Sequence, residues 1–182
     1  MLKQSRQMIY WSQYEGKLGT FYLAATERGL CFMSSPDEDI KELKIWAQKH
    51  FQDAKLIRSD ETLAAYRKEY EEYFTGGRRT FTIAEDRVGT VFQKKVWEAL
   101  THIPYGTTCT YSDIADMIQK PTAVRAVAAA IGQNPLLITV PCHRVIGKNG
   151  SLTGFRAGLK MKKQLLELER FSSVDGPDRI KI

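Results

Sequence analysis

The sequence predicts an α+β fold in two successive units. Three observations carry the prediction. Short β-branched and aromatic runs separated by glycine turns fill the first third of the chain. Apolar residues at helical spacing, with capping and stop residues, recur after that. The charge also divides: residues 1–86 hold 13 Lys/Arg against 14 Asp/Glu, whereas residues 87–182 hold 14 against 7. The net charge of +6 therefore sits in the second unit, which becomes the candidate surface for a polyanionic partner.

In the first unit, residues 1–86, Met8–Trp11 and Thr20–Ala25 read as strands joined by a turn at Gly16–Gly19. Glu27-Arg28-Gly29 turns into a third strand, Leu30–Met33. Asp37–Phe51 places Ile40, Leu43, Ile45, Trp46 and Ala47 at helical spacing. Ala54–Ile57 is a fourth strand, and Thr62–Phe74 a helix stopped by Gly76-Gly77. No phosphate-binding glycine loop, useful carboxylate pair or metal-ligand cluster reads out of this half, so it is expected to be a scaffold. The polar stretch Ala84–Thr90 reads as the linker.

The second unit, residues 87–171, opens with a helical stripe over Val91–Ile103 behind Thr90 as N-cap, ended by Pro104-Tyr105-Gly106. Ser112 is expected to cap a short helix, Asp113–Gln119, closed by Lys120-Pro121. Thr122 is expected to cap the next, Ala123–Gln133, closed by Asn134-Pro135. Two short helices behind a leading one outline a helix-turn-helix. Leu136–Val140 reads as a buried strand, Lys148-Asn149-Gly150 as the hairpin turn of a wing, and Leu159–Phe171 as a last helix. The tail, 172–182, reads as a disordered end.

At 182 residues and 43% hydrophobic content, a packed core is within reach. No window is long and apolar enough to span a membrane, and the first residues carry no secretory pattern, so the expectation is a cytoplasmic protein with reduced thiols. Three cysteines, Cys31, Cys109 and Cys142, exclude a fully paired disulfide framework, and none forms a C-x-x-C.

Two segments invite a chemical reading. Ala126–Ile131 holds only small or apolar side chains next to Arg125. It reads either as a plain buried helix or as a smooth face for a minor groove, since a major-groove reader needs several polar side chains. Pro141-Cys142-His143-Arg144-Val145 puts a cysteine beside a histidine. A cysteine attacks as thiolate and needs its proton taken, but neighbours in an extended segment point to opposite faces. The pair can work only if the chain turns at Pro141 or a water bridges it; a structural cysteine is the other reading. Cys31 and Cys109 have no basic neighbour and read as structural.

The run Pro141–Gly147 resembles the active-site signature of the O6-alkylguanine-DNA alkyltransferases. In the same order as in that family stand Phe92-Gln93, Val96-Trp97, Ile103–Gly106, Tyr111, Ile114-Ala115, Arg125-Ala126-Val127 and Asn134-Pro135, across roughly residues 89–170. The resemblance implies a ribonuclease-H-like N-terminal domain followed by a winged helix-turn-helix domain. It implies a partner, double-stranded DNA carrying O6-alkylguanine, bound through the minor groove with the damaged base flipped out.

It further implies that Cys142 takes the alkyl group irreversibly, that His143 activates it through a water, and that Glu169 orients His143. Tyr111 would hydrogen-bond the leaving guanine. Arg125 would fill the gap left by the base, with Thr122, Ala126, Ala129 and Asn134 completing the DNA-binding set and Asn134 tying the helix-turn-helix to the active-site segment. Val145, Phe155, Arg156, Ala157 and Tyr111 would line the base pocket. No metal and no cofactor are expected, and a monomer is. Ala157 stands where many bacterial relatives have Trp, Cys109-Thr110 where a serine often precedes the tyrosine, and Gln133 where Gly is frequent. The alternatives are a non-catalytic alkylated-DNA-binding relative, which would lack Cys142, a winged-helix regulator, and a cysteine hydrolase.

Overall fold

The computed structural model describes residues 6–172. Its first half is a four-stranded sheet in the order β3-β2-β1-β4. β1 (Met8–Gly16) and β2 (Gly19–Thr26) form an antiparallel hairpin closed where Gly16 faces Gly19. β3 (Gly29–Met33) extends it on one side, and β4 (Lys55–Arg58) runs parallel to β1 on the other. A parallel pair needs a crossover, and α1 (Lys41–His50) supplies it. Leu43 and Ala47 of α1 pack on Ile9, Ala24, Cys31 and Phe32, while Ile45 points outward, 68% exposed. The helix expected from Asp37 starts at Lys41 because Asp37 adopts a left-handed φ of 59° and its carboxylate accepts from Thr20 N at 2.9 Å, a turn rather than a cap. α2 (Ala64–Phe74) covers the other sheet face through Tyr70, Tyr73 and Phe74.

The stretch read as a linker is partly tied down. Leu30 N donates to Ala84 O and Asp86 N to Leu30 O, while the Asp86 carboxylate accepts from Thr26 Oγ1 at 2.6 Å. α3 (Val91–Thr101) begins as expected at Thr90, which forms a capping box with Gln93. The next two caps differ from expectation. α4 (Tyr111–Met117) is capped by Thr110, not Ser112, because extended β5 (Cys109–Thr110) delivers Thr110 directly to the helix start, where Asp113 closes a second capping box. Thr122 caps nothing: it lies in a 3₁₀ turn, Pro121–Ala123, started by proline at its first position, and α5 (Val124–Gly132) follows.

Two strand expectations also change. Leu136–Val140 is a tight bend rather than a strand: Ile138 takes φ of 77°, Thr139 N reaches Leu137 O, and Val140 N reaches Leu136 O. The turn at Lys148–Gly150 forms, with Gly150 N donating to Gly147 O at 2.8 Å. Gly147 N also reaches Ser151 O at 2.9 Å across the turn, and among the described residues no strand ladder extends the hairpin further. Instead β6 (Val145–Ile146) pairs parallel with β5. α6 (Gly158–Ser172) is the last described element. The expected tail lies outside the described residues beyond Ser172. One apolar cluster joins both halves, from Phe21, Leu23 and Tyr70 to Trp97, Leu100 and Leu165.

Candidate active site and nucleic-acid interface

The chain does turn at Pro141. Cys142–Arg144 forms a 3₁₀ turn, with Arg144 N donating to Pro141 O at 3.0 Å, so Cys142 and His143 escape the opposite-face problem of an extended segment. The bend before it is knitted by Asn134, only 1% exposed. Its amide nitrogen donates to Leu136 O (3.1 Å), Val140 O (2.9 Å) and Cys142 Sγ (3.1 Å), and its oxygen accepts from Leu136 N (2.9 Å). Asn134 is therefore no DNA-facing side chain, a correction to its place in the DNA-binding set; its work is on the sulfur and the bend.

Cys142 is 3% exposed, and burial pushes its thiol up from the ordinary range. The Asn134 hydrogen bond and the nearby charges of Arg156 and Lys162 pull it back down in part. A thiol so placed is protonated at rest and needs a base. His143 is fully buried, and burial lowers its pKa against the opposing pull of Glu169, so its imidazole is neutral at neutral pH. Its Nε2 meets Glu169 Oε1 at 2.7 Å. That contact assigns the proton to Nε2 and the lone pair to Nδ1, which has no protein hydrogen-bond partner. Burial pushes the Glu169 carboxyl up, but His143 and Arg144 outweigh it and hold the group well below the usual range. Arg144 grips Glu169 through Nε (3.0 Å) and Nη2 (2.9 Å), and Gly106 N donates to Oε2 at 3.0 Å.

Tyr111 opens α4 directly beside the β5–β6 ladder, which follows the Cys142 turn. Its hydroxyl donates to Thr153 O at 3.0 Å. Phe155 sets its ring edge-on to His143 at 6.5 Å between centroids. Val145 is buried and its carbonyl accepts from Lys162 Nζ at 2.5 Å. Ala157 is half-buried. Arg156 departs from the expected pocket wall: its guanidinium runs back to the first half, bonding Glu42 and Met33 O, and its Nε reaches Asn134 O at 3.3 Å.

The α5 face separates cleanly. Val127, Ala130 and Ile131 are buried, whereas Thr122, Arg125, Ala126 and Ala129 are exposed. The four expected contact residues other than Asn134 thus share one open face.

Sequence reasoning missed three contributors. Lys162 is fully buried and donates to the carbonyls of Val145, Thr153 and Gly154, holding the loop that carries Tyr111's acceptor. Burial draws its ammonium down to about 8. Tyr70, from the first half, donates to Leu137 O at 2.9 Å, and Tyr73 to Glu169 Oε1 at 2.6 Å. A lysine on the apolar stripe of the last helix was a readable signal; two tyrosines in an aromatic-rich helix were not. Among the described residues no His/Cys/Asp/Glu cluster could hold a metal, and no helix is long and apolar enough to cross a membrane.

Fold and site together define a two-part α+β protein that sets one buried cysteine against a His–Glu pair beside a helix-turn-helix. Comparison with known proteins is specific on this point. Residues 9–86 match the family model "6-O-methylguanine DNA methyltransferase, ribonuclease-like domain", and residues 91–171 match "6-O-methylguanine DNA methyltransferase, DNA binding domain". The inducible methylated-DNA–protein-cysteine methyltransferase of Bacillus subtilis (strain 168) is 51% identical over 172 residues, covering 94% of this chain and 96% of its own. The crystal structure of Mycobacterium tuberculosis O6-methylguanine methyltransferase superposes with a TM-score of 0.79 at 34% identity, covering 91% of this chain and 94% of that one. A structure of the M. tuberculosis OGT in complex with DNA gives 0.74 at 34% identity, with the same coverage. The chain belongs to the 6-O-methylguanine DNA methyltransferase family.

Proposed function

We propose that this chain repairs DNA directly by moving the alkyl group of O6-alkylguanine onto Cys142, once per molecule. The observation that carries the reading is the pairing of a buried thiol with a neutral histidine whose free nitrogen is Nδ1 and whose other nitrogen is held by Glu169. The Cys142 proton passes to His143 Nδ1 through a bridging water. The sulfur attacks the alkyl carbon, the S–C bond forms, and the C–O6 bond breaks with its electron pair leaving on guanine. Tyr111 turns its hydroxyl from Thr153 O to the base and gives it a proton, and the proton held on His143 returns to Tyr111 through water, so that guanine ends protonated, His143 neutral and the cysteine a thioether. Apart from that water and the base itself, the step uses only side chains of this chain.

On the DNA side, the exposed face of α5 lies against the minor groove. Ala126 and Ala129 permit close approach, Thr122 sits at its edge, and Arg125 enters the stack where the base has left. Val145, Phe155 and Ala157 line the base pocket, and the Arg156 side chain anchors the loop that carries Phe155 and Ala157. The working unit is a monomer in the cytosol, where the three free thiols stay reduced. Its parts are a scaffold over 1–86, a DNA-binding and catalytic unit over 87–171, and a tail.

The test is incubation with a duplex containing O6-methylguanine followed by mass mapping of the cysteine peptides. One methyl on the Cys142 peptide per chain is expected. Methyl on Cys31 or Cys109, binding without mass change, or turnover beyond one equivalent refutes the reading.

A further inference from the structure

Among the described residues, a side chain of the first half reaches into the catalytic group. Tyr73, on α2, is fully buried, and its hydroxyl lies 2.6 Å from Glu169 Oε1 and 3.4 Å from His143 Nε2. The oxygen it meets is the same one that receives His143 at 2.7 Å and Arg144 Nη2 at 2.9 Å. Burial and the Glu169 charge raise the phenol well above its ordinary range, so it keeps its proton and acts as a donor. Its ring is fixed edge-on to Tyr105 and against Phe81, with centroids 6.0 and 5.4 Å away.

We propose that Tyr73 is a positioning residue for alkyl transfer: its hydroxyl competes with His143 for Glu169 Oε1 and so sets how strongly the carboxylate supports a protonated His143. The inference rests on the reading that His143 takes the Cys142 proton. The argument is one of shared charge. A hydrogen bond to an ionised carboxylate is strong, and two donors on one oxygen each weaken the other. Arg144 keeps Glu169 ionised with or without the phenol, since it binds through both Nε and Nη2. Removing the Tyr73 hydroxyl therefore leaves the charge in place and returns more of it to His143, which becomes more basic. Among the described residues, the other charged or titratable groups around the pair include Arg144 on the 3₁₀ turn, Lys162 on α6, Cys142 beside it and Tyr105 after α3; the first two disfavour an imidazolium. None of them changes in the substitution.

The test is the single-turnover methyl-transfer rate as a function of pH. In the parent, the rate falls on the acid side as His143 becomes protonated. In Tyr73→Phe, which keeps the ring, that acid limb moves up by about one pH unit, the size expected when one charge-assisted hydrogen bond is redistributed. The stoichiometry stays at one methyl on Cys142. Incorporation of 3-fluorotyrosine at position 73, a stronger donor of nearly the same shape, moves the limb the opposite way and covers the case in which the Phe variant folds poorly. A merely structural tyrosine lowers the amount of active protein and leaves the limb where it was. An unmoved limb in both variants, with the limb abolished by His143→Phe, overturns this inference alone. A limb that survives His143→Phe overturns it together with the proposed role of His143.

Discussion

Replacing Asn134 with alanine tests the frame that holds the sulfur. Four hydrogen bonds disappear, but the costs differ. Val140 O still accepts from Cys142 N at 2.8 Å, and Leu136 O still accepts from Val140 N at 3.1 Å. The group that loses its acceptor is Leu136 N–H, in a fully buried residue. A buried donor without a partner costs about 1–3 kcal/mol, and the remaining lost bonds add about 1 kcal/mol more, for a total of about 2–4 kcal/mol. In a chain of this size that is a fall in melting temperature of roughly 5–15 °C. The bend is also strained at Ile138, whose φ of 77° suits no β-branched residue, so loss of the knot frees it to relax and moves Cys142 with it. Loss of the bond to Sγ removes support from the thiolate, and single-turnover alkyl transfer at neutral pH slows by about tenfold or more. Thermal unfolding followed by circular dichroism and a quenched-flow methyl-transfer assay give the two numbers. A variant that melts within about 2 °C of the parent and reacts at the parental rate would refute the reasoning.

Three further outcomes follow from the same geometry. Arg125→Ala should slow repair of duplex DNA while leaving reaction with the free base analogue benzylguanine unchanged, because Arg125 stands on the open face of α5; equal losses on both substrates sink its base-displacing role. Lys162, drawn down to about 8 by burial, disfavours folding while charged, and that cost fades as pH rises toward its unfolded value of about 10.4. The stability of the parent relative to Lys162→Met should therefore rise by about 2 kcal/mol between pH 8 and 10 in urea titrations, and a flat difference would show the ammonium is not desolvated. Glu169 is the opposite case: its depressed carboxyl contributes stability fully above about pH 4.3, lost as pH falls through the lower folded value. Glu169→Gln strands the buried Arg144 guanidinium and should cost about 3–5 kcal/mol at neutral pH, with the gap narrowing in acid; a gap independent of pH contradicts the assignment.

The strands and helices were legible because local chemistry writes them: Gly16 and Gly19 close the first hairpin, and Thr90 with Gln93 starts α3. What misled was the same local chemistry read one residue too far. Ser112 and Thr122 are both good caps by type, but β5 hands the chain to Thr110 first, and Pro121 opens a 3₁₀ turn before Thr122 can cap. Leu136–Val140 is apolar enough for a strand, yet the demand of Asn134 for carbonyls at both 136 and 140 folds it back. At the site, Cys142 and His143 were read from the signature run and Glu169 from what the resemblance implies; the structure sets His143 Nε2 on Glu169 Oε1 at 2.7 Å, with Cys142 in the same 3₁₀ turn as His143. Tyr73 and the inward course of Arg156 were not readable, because their partners Glu169, Glu42 and Met33 lie 96, 114 and 123 residues away along the chain. Nothing local distinguishes a tyrosine that meets a carboxylate from one that fills a core.

The three cysteines show why burial by itself identifies no nucleophile. All three thiols are pushed up by burial, Cys109 to about 12, so a ranking by pKa shift would set none of them apart as reactive. What differs is the company. Cys31 Sγ faces the Ala24 carbonyl, and Asp86 adds to the burial effect. Cys109 has only the charge of Asp113, which opposes a thiolate further. Around Cys142 every polar neighbour acts in the other direction: an amide N–H from Asn134, the charges of Arg156 and Lys162, and the next residue a neutral histidine with a free nitrogen. A thiol in such a setting stays protonated and protected until its proton is taken. If Cys142 reacts once, as proposed, that is the useful resting state, since it shields the sulfur from stray electrophiles and oxidants until a damaged base is in place.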